Sequence, residues 1–205
     1  MAMTLRVVVP PHPLIGHWLT MLRDANTPSP LYAKALEELG RWLTYEALRD
    51  WLPYRDEEII TPQGKTISSV IESRVPLLAL PNNPGGLELW HGGRNVLPNA
   101  QLSIGGVPDS IEDNAGIMIY VDQISNDESL IETLSLLNKQ NVNLRRIRVV
   151  SALAARPGLQ KLGECFPELN IYCACIDAEM TDNGEIIPGI GNPSLRLNTK
   201  IPGPN

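Results

Sequence analysis

Apolar residues recur at helical spacing in the first quarter of the chain. They predict one helix over about 14–23 and a second over about 29–51, with Ser29 or Pro30 at the start of the second. The stretch before them, residues 1–13, is rich in proline towards its end. Because proline interrupts helices, we expect this stretch to form an extended arm.

The second half of the chain alternates between short apolar runs and helical patterns. Strands that alternate with helices at this spacing indicate parallel strands joined by crossover helices, and therefore an α/β fold. The predicted strands cover 117–121, 147–152 and 171–176, and the predicted helices cover 130–140 and 157–165.

The pattern of the region between these two parts predicts short strands and turns. It contains a turn over 61–65, a buried strand candidate over 75–80 and a further strand candidate over 101–107. A cluster of proline, asparagine and glycine over 81–86 is expected to break regular structure.

Length and composition suit a single folded domain over 1–205, because 43% of the 205 residues are hydrophobic. We expect residues 1–53 to supply the arm and helices, and residues 54–205 to form the α/β core with a C-terminal loop. The net charge of −6 disfavours binding to nucleic acid. The sequence shows no membrane-length apolar run and no signal peptide, so we expect a cytoplasmic protein.

A polar loop follows the predicted strand over 117–121, and ligands of parallel α/β sheets bind at such strand ends. The loop is acidic and lacks the glycines that a phosphate site would use. At about 4 Å, each like-charge contact costs on the order of 4 kcal/mol. Helix capping by Ser125 or Asp127 explains these residues, and a divalent metal on Asp122, Asp127 and Glu128 is the alternative.

A second candidate loop, around Pro188, carries glycines on both sides of the proline. Glycine lets main-chain groups approach a ligand closely, so the loop could read the edge of a small planar heterocycle. An ordinary irregular connection is the alternative. The residues of this candidate site are Ile187, Gly189, Ile190, Gly191 and Asn192.

Two cysteines, Cys173 and Cys175, are predicted to lie on one face of a strand, where they could hold a metal. No third or fourth ligand is close in sequence. We therefore expect small buried side chains here and no metal site.

Motifs spread over nearly the whole chain resemble the uracil phosphoribosyltransferase family. His12-Pro13-Leu14-Ile15 and Leu22-Arg23-Asp24 are similar to the family's N-terminal signature, and Leu43-Thr44-Tyr45-Glu46-Ala47 to its next helix. Near the end, Ile176-Asp177 and Ile187-Pro188-Gly189-Ile190-Gly191 resemble the segment that binds uracil.

This resemblance implies a type I phosphoribosyltransferase fold. Such a fold has a mainly parallel central sheet flanked by helices, with a small hood built from the N- and C-terminal segments. The resemblance further implies a homodimer and the joining of uracil to phosphoribosyl pyrophosphate to give UMP.

The loop that binds the 5′-phosphate departs from the family pattern, Asp-Pro-Met-Leu-Ala-Thr-Gly-Gly-Ser. Asp122 and Ser129 remain at its ends, whereas Asn126, Asp127 and Glu128 replace the Thr-Gly-Gly whose amides cradle the phosphate. The resemblance therefore marks these five residues as the remnant of a phosphoribosyl site.

Three further parts of the family pattern are altered. The pyrophosphate loop, Arg-Ala-Gly-Leu-Gly in the family, is here a longer segment over 79–86 without the arginine. The segment over 108–116 is too short for the hairpin that closes over the substrate, and Gly191-Asn192 stands where the family has Gly-Asp.

Because these changes remove much of the electrostatic stabilisation such a site needs, we expect a member that has lost catalysis. It would act as a dimeric structural or regulatory protein with weak binding of uracil or UMP and an unidentified protein partner. The alternative is an active uracil phosphoribosyltransferase of pyrimidine salvage. In that case Mg²⁺ bridges the acidic loop to the phosphates; otherwise no cofactor is expected.

Overall fold

The computed structural model describes residues 5–97, 99–126 and 128–198, which form a seven-stranded sheet, two smaller ribbons, six α-helices and a short 3₁₀ helix over Leu144–Arg146. The elements in chain order are β1 (Arg6–Val8), α1 (Pro13–Arg23), α2 (Ser29–Leu48), β2 (Tyr54–Thr61), β3 (Gly64–Ile71), β4 (Leu77–Pro81), α3 (Pro84–Gly93), β5 (Gln101–Leu102), β6 (Gly116–Ile124), α4 (Ser129–Lys139), β7 (Ile147–Ala155), α5 (Arg156–Cys165), β8 (Asn170–Cys173), β9 (Ile176–Asp177), β10 (Glu179–Met180), β11 (Ile186–Ile187) and α6 (Pro193–Leu197).

All pairings within the main sheet are parallel. The strand order is β1-β8-β7-β6-β4-β5, and β9 pairs with the end of β7. Parallel strands require crossover connections, and α4 and α5 supply them between β6, β7 and β8. The predicted α/β class with a mainly parallel central sheet is confirmed.

The two faces of the sheet are buried under different helices. On β6, Met118 and Tyr120 join the apolar cluster beneath α1, α2 and α3, whereas Ile117, Ile119 and Val121 join the cluster beneath α4 and α5. A strand buried on both faces reads as a continuous apolar run rather than an alternating one. This explains why the strands around 117 and 147 were visible in the sequence.

Helices α2 and α3 pack against each other at unusually short distance. A side chain on Gly40 would overlap the backbone of Leu89, and one on Gly92 would overlap the backbone of Glu37. Glycine at these two points therefore lets the helices approach backbone to backbone, and so sets the position of α3 over the sheet.

Several sequence expectations differ from the structure. The cluster over 81–86 does not break regular structure, because its second half begins α3 with proline at the first helical position, where no amide donor is needed. The predicted strand over 101–107 is only β5. Part of the expected extended arm is β1, which pairs with β8 at the sheet edge. Among the described helices, none is long and apolar enough to cross a membrane.

The close contact of α2 and α3 generates a stability prediction. Gly40→Ala should lower the free energy of unfolding by about 2 kcal/mol, because the added methyl group forces the two helices apart. Gly16→Ala is the matched control, since Gly16 is exposed on α1 with nothing near its added methyl group. It should raise stability by about 0.5 kcal/mol. Urea denaturation of both variants measures the difference, and equal effects would contradict the packing argument.

Candidate functional site

The carboxyl ends of β4 and β6 lie side by side, and the chain leaves them towards opposite faces of the sheet. Asn82 follows β4 and leads into α3 on one face, whereas the loop after β6 leads into α4 on the other. The amide of Asn82 donates to the carbonyl of Tyr120 at 2.8 Å, which keeps the two strand ends together. Such a divergence of neighbouring strands opens the crevice in which α/β proteins bind ligands.

Asn83 connects the start of α3 to Asp122 at the end of β6. Its side-chain amide donates to Asp122 Oδ1 at 2.9 Å, and its side-chain oxygen accepts from the amides of Gly86 at 2.7 Å and Asp122 at 3.2 Å. A side chain on Gly85 would overlap that of Asp122. Asp122 is only 6% exposed and is held from several directions.

Asn82 makes a similar connection to the start of α4. Its side-chain amide donates to Ser129 Oγ, and its side-chain oxygen accepts from Thr133 Oγ1 at 2.7 Å. We call Asn82, Asn83 and these partners (Asp122, Ser129 and Thr133) the asparagine latch, since together they join the loop after β4 to the loop after β6.

The five predicted phosphoribosyl residues are not all in one place. Asp122 and Ser129 belong to the asparagine latch, whereas Asn126 and Glu128 are exposed, and Glu128 faces Lys161 at 3.5 Å. Asp127 lies outside the described residues. Capping by Ser125 was a wrong expectation, because Glu128 occupies the N-cap position of α4 and its side chain makes no capping bond.

The loop around Pro188 is held by an ion pair. Arg23 on α1 binds both carboxylate oxygens of Asp177, at 2.7 and 2.9 Å, and also donates to the carbonyl of Gly189 at 3.1 Å. The amide of Gly189 donates to the same carboxylate at 3.0 Å. Gly189 has φ 64°, and a side chain there would overlap the carbonyl of Ile186. Glycine is therefore required for this loop conformation.

A second arginine supports the other side of the loop. Arg196 on α6 donates to the carbonyls of Leu22, Asp24 and Ile190, and its guanidinium lies 4.2 Å from the centre of the Tyr32 ring. The Tyr32 hydroxyl donates to the carbonyl of Ile190 at 3.4 Å. The N- and C-terminal segments thus form one unit, which is the hood that the family resemblance implied.

The predicted residues of this loop fall into two groups. Gly189 and Ile190 are buried, and their main-chain groups hold the loop itself together. Ile187, Gly191 and Asn192 are exposed at its mouth, and the Asn192 side chain accepts from the amide of Leu195 as the cap of α6. Of the five predicted residues of this loop, only these three are accessible from solvent.

Two titratable groups beside this loop have shifted pKa values. Burial raises the pKa of Tyr32, although the charge of Arg196 lowers it in part and that of Asp122 raises it further. Burial also raises the pKa of Asp177, but the bonds from Arg23 and Gly189 outweigh this, and the net pKa is below the usual aspartate value.

The cysteines do not lie together as expected. The strand is interrupted between β8 and β9, so Cys173 packs in the cluster under α4 and α5, whereas Cys175 faces the cluster under α1 to α3. Burial raises the pKa of Cys173 to about 12, as for a core thiol. Within the described ranges no three His, Cys, Asp or Glu side chains form a group that could hold a metal ion.

Comparison with known families shows to which family the chain belongs. A family model described as uracil phosphoribosyltransferase matches residues 9–198. The chain belongs to the uracil phosphoribosyltransferase family. A relative named uracil phosphoribosyltransferase from Synechococcus elongatus is 39% identical, over 96% of this chain and 98% of its own length. A chloroplastic relative with that name from Arabidopsis thaliana is 36% identical over 93% of this chain and 70% of its own.

A solved structure supports the same relationship. A protein of Aquifex aeolicus superposes with a TM-score of 0.80 at 27% identity, covering 93% of this chain and 97% of that one. The predicted phosphoribosyltransferase-like fold is confirmed. The names of the relatives support an active enzyme better than they support the expected loss of catalysis.

Sequence reasoning missed the residues that build the site around the predicted loops. Arg23, Asp177 and Arg196 stood within the matching motifs, but nothing in their spacing assigned them a role. Asn82 and Asn83 stood in a cluster that we expected to be irregular. Their role depends on contacts across 39 to 51 positions of the chain, which no local pattern shows.

The Arg23–Asp177 pair generates a pH-dependent prediction. Asp177→Asn should lower the free energy of unfolding by about 3 kcal/mol at pH 7, because Arg23 would lose its partner in a largely buried place. The folded-state pKa of Asp177 is lowered, so its stabilisation is present above the unfolded pKa of about 3.9 and is lost as the pH falls through the folded pKa. The difference between wild type and variant should therefore shrink below about pH 4.

The control for this prediction is Asp50→Asn. Asp50 pairs with Arg6 at 3.1 Å, but both side chains are about half exposed, so its loss should cost less than about 1 kcal/mol. Urea denaturation at pH 7 and pH 3 measures both variants. A cost for Asp177→Asn that stays constant between these pH values would contradict the assignment.

Proposed function

We propose that this protein binds uracil at the loop around Pro188 and joins it to phosphoribosyl pyrophosphate, giving UMP and pyrophosphate. The observation that carries the proposal is that the Asp177 carboxylate accepts hydrogen bonds from both Arg23 and the amide of Gly189. These bonds hold the loop in its conformation. A loop that already has its bound shape loses little conformational freedom when a ligand enters. The shared name of full-length relatives at 39% identity supports the same reaction.

The reaction would use the two halves of the site for different parts of the substrates. The bond from ribose to pyrophosphate breaks with its electron pair going to pyrophosphate, a bond from the same ribose carbon to N1 of uracil forms, and the N1 proton passes to water or to the departing pyrophosphate. In this proposal Ile187 and Gly191, which are exposed on the loop, contact uracil, and Asp122 and Ser129 contact the phosphoribosyl group. We expect Mg²⁺ to enter bound to the pyrophosphate, because within the described residues no three His, Cys, Asp or Glu side chains form a metal site of their own.

The direct test measures UMP by chromatography after incubation of purified protein with uracil, phosphoribosyl pyrophosphate and Mg²⁺. Gly189→Ala should weaken uracil binding about tenfold in calorimetry, because alanine cannot adopt φ 64° beside the Ile186 carbonyl without shifting the loop. Gly184→Ala is the control, since Gly184 has φ 83° but open space around it. Equal binding by both variants would contradict the placement of uracil.

A second candidate function is uracil binding without transfer, in a dimeric structural or regulatory protein. The asparagine latch favours this candidate, because Asn82 and Asn83 occupy hydrogen-bonding groups at the two strand ends where a phosphoribosyl group would bind. Uracil binding with no UMP above background supports it. Steady UMP production rules it out, and absence of both binding and turnover contradicts both candidates.

We also propose that two copies of the chain associate through the ribbon of β2 and β3. The register places Tyr54, Ile60, Ile67 and Ile71 on one face of this ribbon, where they are 47–81% exposed. An isolated two-stranded ribbon is marginally stable, so this face needs a cover. The charged side chains of the same face are engaged within the ribbon, since Lys65 pairs with Glu58 at 2.8 Å and Asp56 accepts from Ser69 Oγ at 2.9 Å. A second copy of the chain, although it also carries a net charge of −6, can therefore approach this face of the ribbon.

Light scattering after size exclusion tests the dimer. The protein should have about twice the mass of 22.6 kDa, and the Ile60→Lys, Ile67→Lys double variant should shift it to the monomer mass. Ile59→Lys, on the opposite face of the ribbon, is the control and should leave the dimer intact. A monomeric wild type at micromolar concentration would contradict the proposal.

A further inference from the structure

The first residue of α5, Arg156, lies at the same edge of the sheet as the candidate site. In the parallel register, Ala154 is opposite Ile124 at the end of β6, and Ala155 is opposite Asp177 at the end of β9. Arg156 follows these two alanines directly. It therefore lies between the loop after β6, which carries predicted phosphoribosyl residues, and the strand that holds the uracil loop.

The first turn of α5 also packs directly on the loop after β6. A side chain on Gly158 would overlap the carbonyl of Ser125, so glycine lets this turn lie against the backbone of the loop. Gly158 is buried, whereas Arg156, two positions earlier, is exposed to solvent. The backbone at Arg156 is thus fixed next to the loop, and its side chain is accessible to a ligand.

The other cations at this edge are already bound within the protein. Arg23 and Arg196 donate to groups of the C-terminal loop. Lys161 faces Glu128 at 3.5 Å. Among the described residues, none forms a hydrogen bond or an ion pair with the side chain of Arg156. An anionic ligand could therefore bind Arg156 without displacing a partner from it.

A phosphate beside the loop after β6 needs such a cation. Asp122 near the end of β6 and the acids Glu128 and Glu132 at the start of α4 give this part of the edge negative charge. Like charges at short distance repel, whereas a guanidinium can donate two parallel hydrogen bonds to one phosphate. Uracil carries no charge, so the cation matters for the phosphoribosyl group and not for the base.

We propose that Arg156 binds the 5′-phosphate of the phosphoribosyl group and supplies the positive charge that the acidic loop after β6 lacks. This rests on the proposed function and deepens it, because it names the residue that recognises the phosphate. Arg156 is a specificity-determining residue, since it favours ligands that carry the phosphate over those that carry only base and ribose. Because it is exposed, its contribution falls as the salt concentration rises.

Calorimetry with uridine and UMP tests this on the full chain, since the two ligands differ only in the 5′-phosphate. UMP should bind more tightly than uridine in the wild type. Arg156→Gln should lower the UMP-to-uridine affinity ratio about tenfold, because it removes charge-assisted hydrogen bonds to the phosphate. Arg156→Lys should retain part of the ratio, because it keeps the charge and loses the planar fork.

Arg94→Gln and Lys139→Gln are the matched controls. Both residues are exposed, and within the part of the chain that the structure describes neither side chain has a hydrogen bond or an ion pair. They lie at the ends of α3 and α4, helices that start at the edge of the site and run back towards the opposite edge. Both variants should keep the wild-type ratio. A decrease equal to that of Arg156→Gln would indicate general attraction by charge and would overturn the proposal.

Binding of phosphoribosyl pyrophosphate with Mg²⁺, measured without uracil, separates this proposal from the proposed function. If uridine binds but UMP binds no more tightly, or Arg156→Gln leaves the ratio unchanged, the proposal is overturned and the uracil site stands. If the wild type binds neither uridine nor UMP, the uracil site fails. In that case a tenfold loss of phosphoribosyl pyrophosphate affinity in Arg156→Gln but not in Arg94→Gln supports the role of Arg156. An unchanged affinity, or no binding by the wild type, overturns it.

Discussion

Parallel alignment of all seven strands is the constraint on which the rest of this structure depends. It brings the ends of β4, β6 and β9 to one edge of the sheet, although they are separated by almost a hundred positions along the chain. Asn82 follows β4, Asp122 lies close to the end of β6 and Asp177 ends β9, so the parallel alignment brings all three to this edge. A sheet with mixed strand directions would have placed them at opposite edges.

The site built on that edge has two halves with different chemical character. The half around Asp177 is charged and tightly braced, with Arg23 and Arg196 satisfying carbonyls and a carboxylate from the C-terminal loop. The half around Asn82 is held by neutral amides. A braced loop suits recognition of a flat base by main-chain groups. The other half has its two strand ends joined through the side-chain amides of Asn82 and Asn83, so the two halves offer a ligand different chemistry.

Glycines contribute to the same arrangement from a distance. Gly40 and Gly92 let α2 and α3 meet backbone to backbone, and Gly85 lets α3 begin directly against Asp122. The position of the latch is therefore set by helix packing on one face of the sheet as well as by the strands. A change in the packing of α2 against α3 would shift α3 relative to the sheet. It would therefore move Asn83, at the start of α3, relative to its hydrogen-bond partner Asp122 on β6.

The sequence by itself determined the family, the α/β class and the order of elements in the second half. Buried strands such as β6 and β7 are continuous apolar runs, and the motifs around Arg23 and Pro188 match over nearly the whole length. It also indicated which loops carry the candidate residues. Local patterns suffice for the strands, helices and motifs because each of these depends on residues that are close to one another in the sequence.

Only the tertiary structure decided how those residues meet. It turned the cluster over 81–86 into the start of a helix, separated Cys173 from Cys175 onto two faces, and joined Asn82 to Ser129 and Thr133. Each of these outcomes depends on contacts between segments that are far apart in sequence, or on which side of the sheet a connection crosses. Such contacts follow from packing of the whole sheet and its helices, and no local periodicity encodes them.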